Sequence, residues 1–297
     1  MLQQVLEATL RTTMMRLVRP FLTPAVPVAL QRTLITQAYR SSTPPRGCRF
    51  ERDTISGVPA TRSTFGENTN GAILYLHGGG YIIGSSSTHR GITGHLAKVS
   101  GCQVIVPDYR LAPEHPFPAA LDDAETVYMA LLEQGFQPGQ IAVAGDSAGG
   151  GLSVALAMRL RDRQVPLPSS ITVFSPWIDL TQQQLYSPER EPVLQAPWTE
   201  KAAKLYAGSE SLTNPLISPA FGDLTNLPPL LIQVGSEEIL LNDAERLASL
   251  AKRDDVQTTL EVFNSLWHVF QVHSGQLDRA TDAIAAAGAH IKHHLAD

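Results

Sequence analysis

A serine between small neighbours, a run of three glycines and a late histidine are the residues of this chain that could act together on a carbonyl carbon. Residues 141–150 read IAVAGDSAGG, and Gly145-Asp146-Ser147-Ala148-Gly149 within them fits the pattern G-x-S-x-G. Alone, the pattern carries little: about 0.1 chance matches are expected in a chain of this length from ordinary glycine and serine usage. The setting gives it weight. Ile141 to Ala144 reads as an apolar strand and LSVALAMRL as a helix, so the serine falls on a sharp strand-to-helix turn. Such a turn strains the serine backbone, presents Oγ and requires small residues two positions to either side, as Gly145 and Gly149 are. A tight loop with a helix-capping serine is the plainer reading, and the flanking elements weigh against it.

The second feature is LYLHGGGY, residues 74–81, in which an apolar strand ends in Gly78, Gly79 and Gly80. Three glycines in a row lose much backbone entropy on ordering. They gain main-chain N–H groups that no helix or sheet has used, on a chain with no Cβ to hold a substrate away. Attack by serine on an ester creates an oxyanion, and fixed N–H donors aimed at it are worth about 3–4 kcal/mol of barrier. Gly79 and Gly80 are the expected donors with Gly78 in reserve, and the N–H of Ala148 is the third. Neither G-x-G-x-x-G nor G-x-x-x-x-G-K-[ST] occurs here, which disfavours a phosphate-binding loop. His77 is expected to brace the loop by hydrogen bonding.

Chemistry of this kind needs a large scaffold, and 297 residues with 43% hydrophobic content can supply one main domain with a small lid. The charged fraction is 17%, the formal net charge is −5 and no Lys/Arg block stands out, so nucleic acid and anionic membranes are poor partners. Cys48 and Cys102 are the only cysteines, which reads as two free thiols in a reducing cytoplasm. No stretch has the ~18 uninterrupted apolar residues of a membrane span. The N-terminus lacks the pattern of a signal peptide; its Val5, Leu6, Leu10, Met14, Leu17, Val18 and Phe21 recur at helical spacing, as in a docked amphipathic helix. No cofactor or metal motif is found, and the His290, His293 and His294 group reads as the solvated face of the last helix.

The elements that must position these residues follow in order. Residues 1–46 read as two helices broken by prolines, the second around Val28 to Tyr39, and form an N-terminal helical segment; 47–297 form the catalytic domain. CRFERDTI and VPATRSTF, with Gly57 between them, read as a hairpin. Apolar strands at 72–76, 102–106, 141–144, 171–174, 230–234 and 259–263 then alternate with amphipathic helices at 88–99, 119–133, 150–161, 243–251 and 277–295. This alternation predicts an α/β fold with a mostly parallel sheet covered on both faces. The gap between 174 and 230 is too long for an ordinary crossover and contains a helical stretch at 198–206, so 178–215 reads as an inserted lid.

HGGGY, DYRLAPEHPFPAA (108–120) and GDSAGG together resemble the hormone-sensitive-lipase-like branch of the α/β-hydrolases, a group of bacterial esterases. The resemblance runs from about Phe50 to the C-terminus. It implies an eight-stranded sheet, a cap built from the N-terminal helices plus the insertion after the sixth strand, and the chain order Ser, Asp or Glu, then His. Four histidines (His77, His89, His95, His115) precede Ser147 and fall in the wrong order. His268, in NSLWHVF after the last strand, matches the family's wording for the base and is preferred to His273. The family pattern G-x-x-D-x-L maps onto 235–240 and puts Glu238 at the acidic position, a departure from Asp that leaves Asp243 as the alternative.

These assignments imply a serine carboxylic ester hydrolase for small, short-acyl esters, with Ser147, Glu238 and His268 as triad and Gly79, Gly80 and Ala148 as oxyanion hole. Tyr81 and Ile82, just past the glycines, and Trp177 in SPWIDLT are expected to line the substrate pocket. Met14, Met15, Leu17 and Phe21 are expected to pack over it. Arg110 and Glu114 are expected to form a buried ion pair behind the oxyanion turn. Lactone hydrolysis uses the same groups; a peptidase should show a cleaner charged subsite. A ligand receptor on this fold would lack the histidine that His268 supplies. The expected partner is a small-molecule ester, with a homodimer suggested by relatives and a cytoplasmic location.

Overall fold

Short apolar runs separated by amphipathic ones become, in the computed structural model, a single mixed sheet with helices on its two faces. It describes residues 2–39, 42–67, 71–188 and 191–296. Its strands are β1 (Cys48–Ile55), β2 (Val58–Phe65), β3 (Ala72–Leu76), β4 (Gln103–Pro107), β5 (Ile141–Asp146), β6 (Ile171–Phe174), β7 (Leu230–Gly235) and β8 (Thr258–Phe263). Its helices are α1 (Leu2–Thr13), α2 (Val28–Ala38), α3 (Arg90–Ser100), α4 (Ala119–Glu133), α5 (Ala148–Asp162), α6 (Ala196–Ala207), α7 (Leu241–Arg253) and α8 (Asp278–His294).

The eight strands lie in the order β1-β2-β4-β3-β5-β6-β7-β8. β1 pairs with β2, and β2 with β4, antiparallel; all the other neighbours are parallel. Ser56 and Gly57, both at positive φ, close the β1–β2 hairpin in a turn whose twist suits the strands. Strands β3, β5 and β6 are buried along their whole length, because a parallel sheet needs crossover helices on both faces. Alternate residues of β3 then serve opposite cores. Ile73 and Tyr75 pack with Ile92 and Leu96 of α3 and Ile284 and Ile291 of α8. Leu74 and Leu76 pack with Leu121 and Val127 of α4 and Leu152 and Leu156 of α5. The parallel strands end together, so the loops after β3, β5, β6 and β7 share one edge of the sheet, the edge where open α/β sheets bind ligands.

Above that edge sit α1, α2 and α6. Gln31 of α2 is wholly buried and joins α2 and the loop before it to α6: its Nε2 donates to the carbonyls of Thr23 (2.9 Å) and Val26 (3.0 Å), and its Oε1 accepts from Trp198 Nε1 of α6 (2.8 Å). Gln195, just before α6, donates to the carbonyls of Arg19 (2.9 Å) and Leu22 (3.0 Å).

Two expectations for this region are corrected. The helical spacing read through Phe21 does not persist, because the chain widens into a π-turn over Met14–Val18 and then tightens into a 3-10 turn over Arg19–Phe21. Leu17 is therefore 62% exposed and Met15 42%, while Val18 and Leu22 turn inward. Arg110 and Glu114 are not partners. Arg110 grips Asp123 with Nε (3.0 Å) and Nη2 (2.8 Å), and Glu114 accepts from Arg32 of α2 at 2.9 and 2.7 Å. Asp123 lies one helical turn into α4 and reaches Arg110 first; Glu114 is left to pin α2 to the sheet's edge. Among the described residues, no helix is long and apolar enough to cross a membrane.

Candidate active site

Ser147 stands between the last residue of β5 and the first of α5 at φ 54°, ψ −121°, a region that L-residues avoid. The neighbours hold it there. A Cβ on Gly149 would lie 2.6 Å from the His77 carbonyl oxygen, and one on Gly145 would lie 2.7 Å from that of Leu76, so the turn is packed against the end of β3 at van der Waals contact. This is the close approach expected of the small flanking residues.

Next to the turn, the chain after β3 runs through Gly79 (φ 120°), Gly80 (φ 60°) and Tyr81 (φ 63°). Gly78 N–H donates to Asp146 Oδ1 (3.0 Å), so the reserve donor is already engaged. The Gly79 carbonyl accepts from Ile82 and Ile83 (3.1 and 3.0 Å), whereas the N–H groups of Gly79 and Gly80 have no partner among the described residues. Ala148, the first residue of α5, presents an N–H of the kind a helix leaves unpaired. Asp146 is wholly buried and organises this corner: Oδ1 also accepts from Tyr75 Oη (2.8 Å), and His89 lies 3.3 Å away. Burial pushes the Asp146 carboxyl up, but His89 and these hydrogen bonds outweigh it and hold the carboxyl below its ordinary value. His77 braces the loop as expected. Its Nδ1 is 2.8 Å from the Gly78 carbonyl, its own carbonyl accepts from Tyr109 Oη (2.6 Å), and its ring stacks on Tyr109 at 4.2 Å. Burial and the neighbouring His89 push the His77 imidazole down to about 4.

His268, in the loop after β8, completes the group. Its Nε2 lies 3.0 Å from Ser147 Oγ and its Nδ1 2.7 Å from Glu238 Oε2. Glu238 is completely buried in the turn after β7, where Oε1 accepts from Gly235 N–H (2.7 Å) and Ser175 Oγ (2.8 Å). Ser175 Oγ in turn accepts from Val269 N–H (3.0 Å), so one hydroxyl ties Glu238 to the residue following His268. Burial opposes a charge on His268, but Glu238, through its hydrogen bond and its charge, and Glu191 outweigh it, and the imidazole lies above its ordinary value. The alternatives are placed elsewhere. Asp243 Oδ2 accepts from the N–H groups of Ile178 and Asp179 (2.8 and 2.9 Å), and burial pushes its carboxyl up to about 7. His273 packs edge-on against Trp267 (5.7 Å) and is pushed down to about 4 by burial.

Ser147, His268, Gly79 and Gly80 open on one cavity of about 40 Å³. Leu22, Ile35 and Tyr39 from the N-terminal segment, Val193, Leu194 and Trp198 from the β6–β7 segment, and Ile83 and Val269 form its apolar wall. Tyr81, Ile82 and Trp177, expected on that wall, lie behind it. Three successive positive φ values swing the chain so that Tyr81 stacks on Tyr206 of α6 at 3.6 Å, Ile82 is wholly buried and Ile83 faces the cavity instead. Trp177 packs beneath, its Nε1 donating to the Asp179 carbonyl (3.2 Å). His290, expected on a solvated face, is half-buried, and burial pushes it down to about 4. Sequence reasoning missed Glu191 altogether. It is 7% exposed, and nothing in the sequence marked it, because it ends the charged run Glu189-Arg190-Glu191, which reads as a solvated surface.

Comparison with known proteins agrees with this fold. Residues 73–272 match the family model described as alpha/beta hydrolase fold. An acetyl-hydrolase from Streptomyces hygroscopicus is 43% identical over 223 residues, covering 74% of this chain and 75% of that protein. Among solved structures, an esterase from the bacterial hormone-sensitive lipase family is 39% identical with a TM-score of 0.88, covering 92% of this chain and 94% of its own. A hormone-sensitive lipase from a metagenome library is 34% identical with a TM-score of 0.92, covering 99% and 98%.

Proposed function

The chain belongs to the α/β-hydrolase fold family, in its bacterial hormone-sensitive-lipase-like branch, and is an ester hydrolase; on that footing we propose that it cleaves small, short-acyl esters through an acyl-enzyme on Ser147. The observation that carries the proposal is the unbroken line from Ser147 Oγ to His268 Nε2 (3.0 Å) and from His268 Nδ1 to Glu238 Oε2 (2.7 Å), beside the N–H groups of Gly79 and Gly80, which have no partner among the described residues.

In this reading Ser147 Oγ attacks the ester carbonyl while His268 Nε2 takes its proton, within the reach general-base catalysis needs. Glu238 fixes the tautomer with the proton on Nδ1 and stabilises the imidazolium; it does not take the proton. The N–H groups of Gly79, Gly80 and Ala148 hold the oxyanion. His268 then protonates the departing alcohol, and water attacks the acyl-serine by the same route in reverse. No step calls for a cofactor. Short acyl chains follow from the cavity: about 40 Å³ is room for roughly three water-sized spheres, and its upper wall is bulky and apolar. The similarity to a protein named an acetyl-hydrolase points the same way. The test is an acyl-chain series of p-nitrophenyl esters. Acetate and propionate should give the highest kcat/KM, and a maximum at octanoate or beyond would refute the short-chain assignment.

A further inference from the structure

Glu191 is the buried acid that this mechanism leaves without a task. It sits in the segment between β6 and α6, and both of its oxygens are committed. Oε1 accepts from the N–H groups of Val193 (2.7 Å) and Leu194 (3.1 Å), which are cavity-wall residues. Oε2 accepts from the N–H of Ile239 (3.0 Å), the residue that follows Glu238. Ile239 is held from its other side as well, its carbonyl accepting from Tyr186 N–H (3.0 Å), and Asn242 Nδ2 donates to the Gln184 carbonyl (2.9 Å). The upper wall of the pocket and the loop carrying the triad's acid therefore meet at one carboxylate.

We propose that Glu191 is a positioning residue that joins the pocket wall at Val193 and Leu194 to the Glu238–His268 pair, so that an acyl group seated against that wall is read in turnover as well as in binding. The inference rests on the esterase reading above. Its physical basis is that three N–H donors converge on one group, so displacing either chain segment leaves buried polar groups unpaired on the other, at about 1–3 kcal/mol each. The two segments have few independent arrangements and move as one. The joint also carries charge. His268 is faced by Glu238, Glu191 and Asp146, and Glu191 by His268 and Glu238. Burial pushes the Glu191 carboxyl up, while His268 and the N–H donors favour its ionised form.

The test is Glu191→Gln in the full chain, with Glu191→Asp beside it. Gln keeps the size and one acceptor oxygen but turns an NH₂ toward a donor and removes the charge. It should lower kcat on p-nitrophenyl acetate by about 10–100-fold, the scale of a small misplacement of a catalytic group, with little change in KM. It should also move the acidic limb of kcat/KM to lower pH. Asp keeps the charge but is too short to span both segments, so kcat should stay reduced while the limb stays near that of the unmodified enzyme. Wild-type kcat and an unmoved limb in the Gln variant would overturn the proposal, as would a loss confined to Tm. Should the variants fail to fold, hydrogen exchange on the unmodified protein decides. The amides of Val193, Leu194 and Ile239 should exchange together, and independent exchange would overturn the joint. If Ser147 proves not to carry hydrolysis, the His268 midpoint measured by NMR in Gln and unmodified protein tests the joint without turnover.

Discussion

The floor and the roof of the cavity are built on different principles. The floor, formed by the glycine loop after β3 and the turn after β5, is fixed by backbone: Gly145 and Gly149 leave no room for a Cβ, and Ser147 is held at φ 54° by its packing. The roof is fixed by side chains. Gln31 ties the main chain at Thr23 and Val26 to the Trp198 side chain, Gln195 holds the main chain at Arg19 and Leu22, and Glu191 holds main-chain groups of Val193, Leu194 and the distant Ile239. Main-chain geometry held by close packing has one arrangement, whereas segments laced by a few hydrogen bonds have a lower threshold for local opening. The floor is thus suited to chemistry that tolerates no displacement, and the roof to selection among substrates. Substitutions in the floor should register in kcat, and substitutions in the roof in KM, chain-length preference and stability, save at Glu191, whose bond to the Ile239 N–H ties it to the loop of Glu238 and carries its effect into kcat.

The largest effect that can break this contrast is at the nucleophile and base. Ser147→Ala and His268→Ala should each lower kcat on p-nitrophenyl acetate by about 10⁴–10⁶-fold, as for comparable hydrolytic triads, with Tm nearly unchanged. Either variant retaining more than a few per cent of turnover would remove that residue from the mechanism. The acid comes next. Glu238→Gln should cost about 10³–10⁴-fold in kcat because the imidazole loses its tautomer-fixing acceptor. Asp243→Asn should cost little, since its carboxyl faces the N–H groups of Ile178 and Asp179 and not the base. A larger loss at Asp243 would reverse the assignment.

The roof should respond in other quantities. Gln31→Ala removes the buried acceptor of Trp198 Nε1 and two donors to the half-buried main-chain carbonyls of Thr23 and Val26. At about 1–3 kcal/mol for each polar group left unpaired, Tm should fall by several degrees. Hydrolysis of the acetate should persist within about tenfold, and the preference should shift toward longer acyl chains as Trp198 loosens, an effect on the scale of one or two methylenes in a hydrophobic pocket. A loss of kcat as large as that of Glu238→Gln, with no change in chain preference, would mean that floor and roof are not separate.

The same contrast explains how much was legible in the sequence. Local chemistry announces itself. Gly78 to Gly80 and Gly145 to Gly149 are demanded by backbone geometry within a few residues, so the strand-to-helix turn and the elements around it were readable, and the hairpin at 48–65 appears at its predicted bounds. The resemblance supplied Glu238 and His268, which lie 30 residues apart and meet only through the sheet. The roof was not readable in the same way. Tyr81 and Ile82 were expected to face substrate because they adjoin the glycines, but the positive φ run turned them away. Leu17 was placed inward by a 3.6-residue period that the π-turn at Met14–Val18 interrupts. Glu191 has no local motif, because its three donors come from positions two, three and forty-eight residues away.

The smallest effect, and the sharpest on electrostatics, is the position of the acidic limb. The proposed mechanism requires neutral His268, so kcat/KM should rise with pH as the imidazole loses its proton. Burial alone would move that loss to lower pH. The carboxylates of Glu238 and Glu191 favour the charged ring and outweigh burial, so the folded-state value is raised and the limb should lie above the ordinary histidine midpoint of about 6.5. Glu238→Gln should bring it down, as the residual activity of that variant can show, and Gln31→Ala, which alters the roof without changing a charge, should leave it in place. A limb at or below the ordinary value in the unmodified enzyme would mean that solvent reaches the His268–Glu238 pair, and that the roof does not close over the floor in solution.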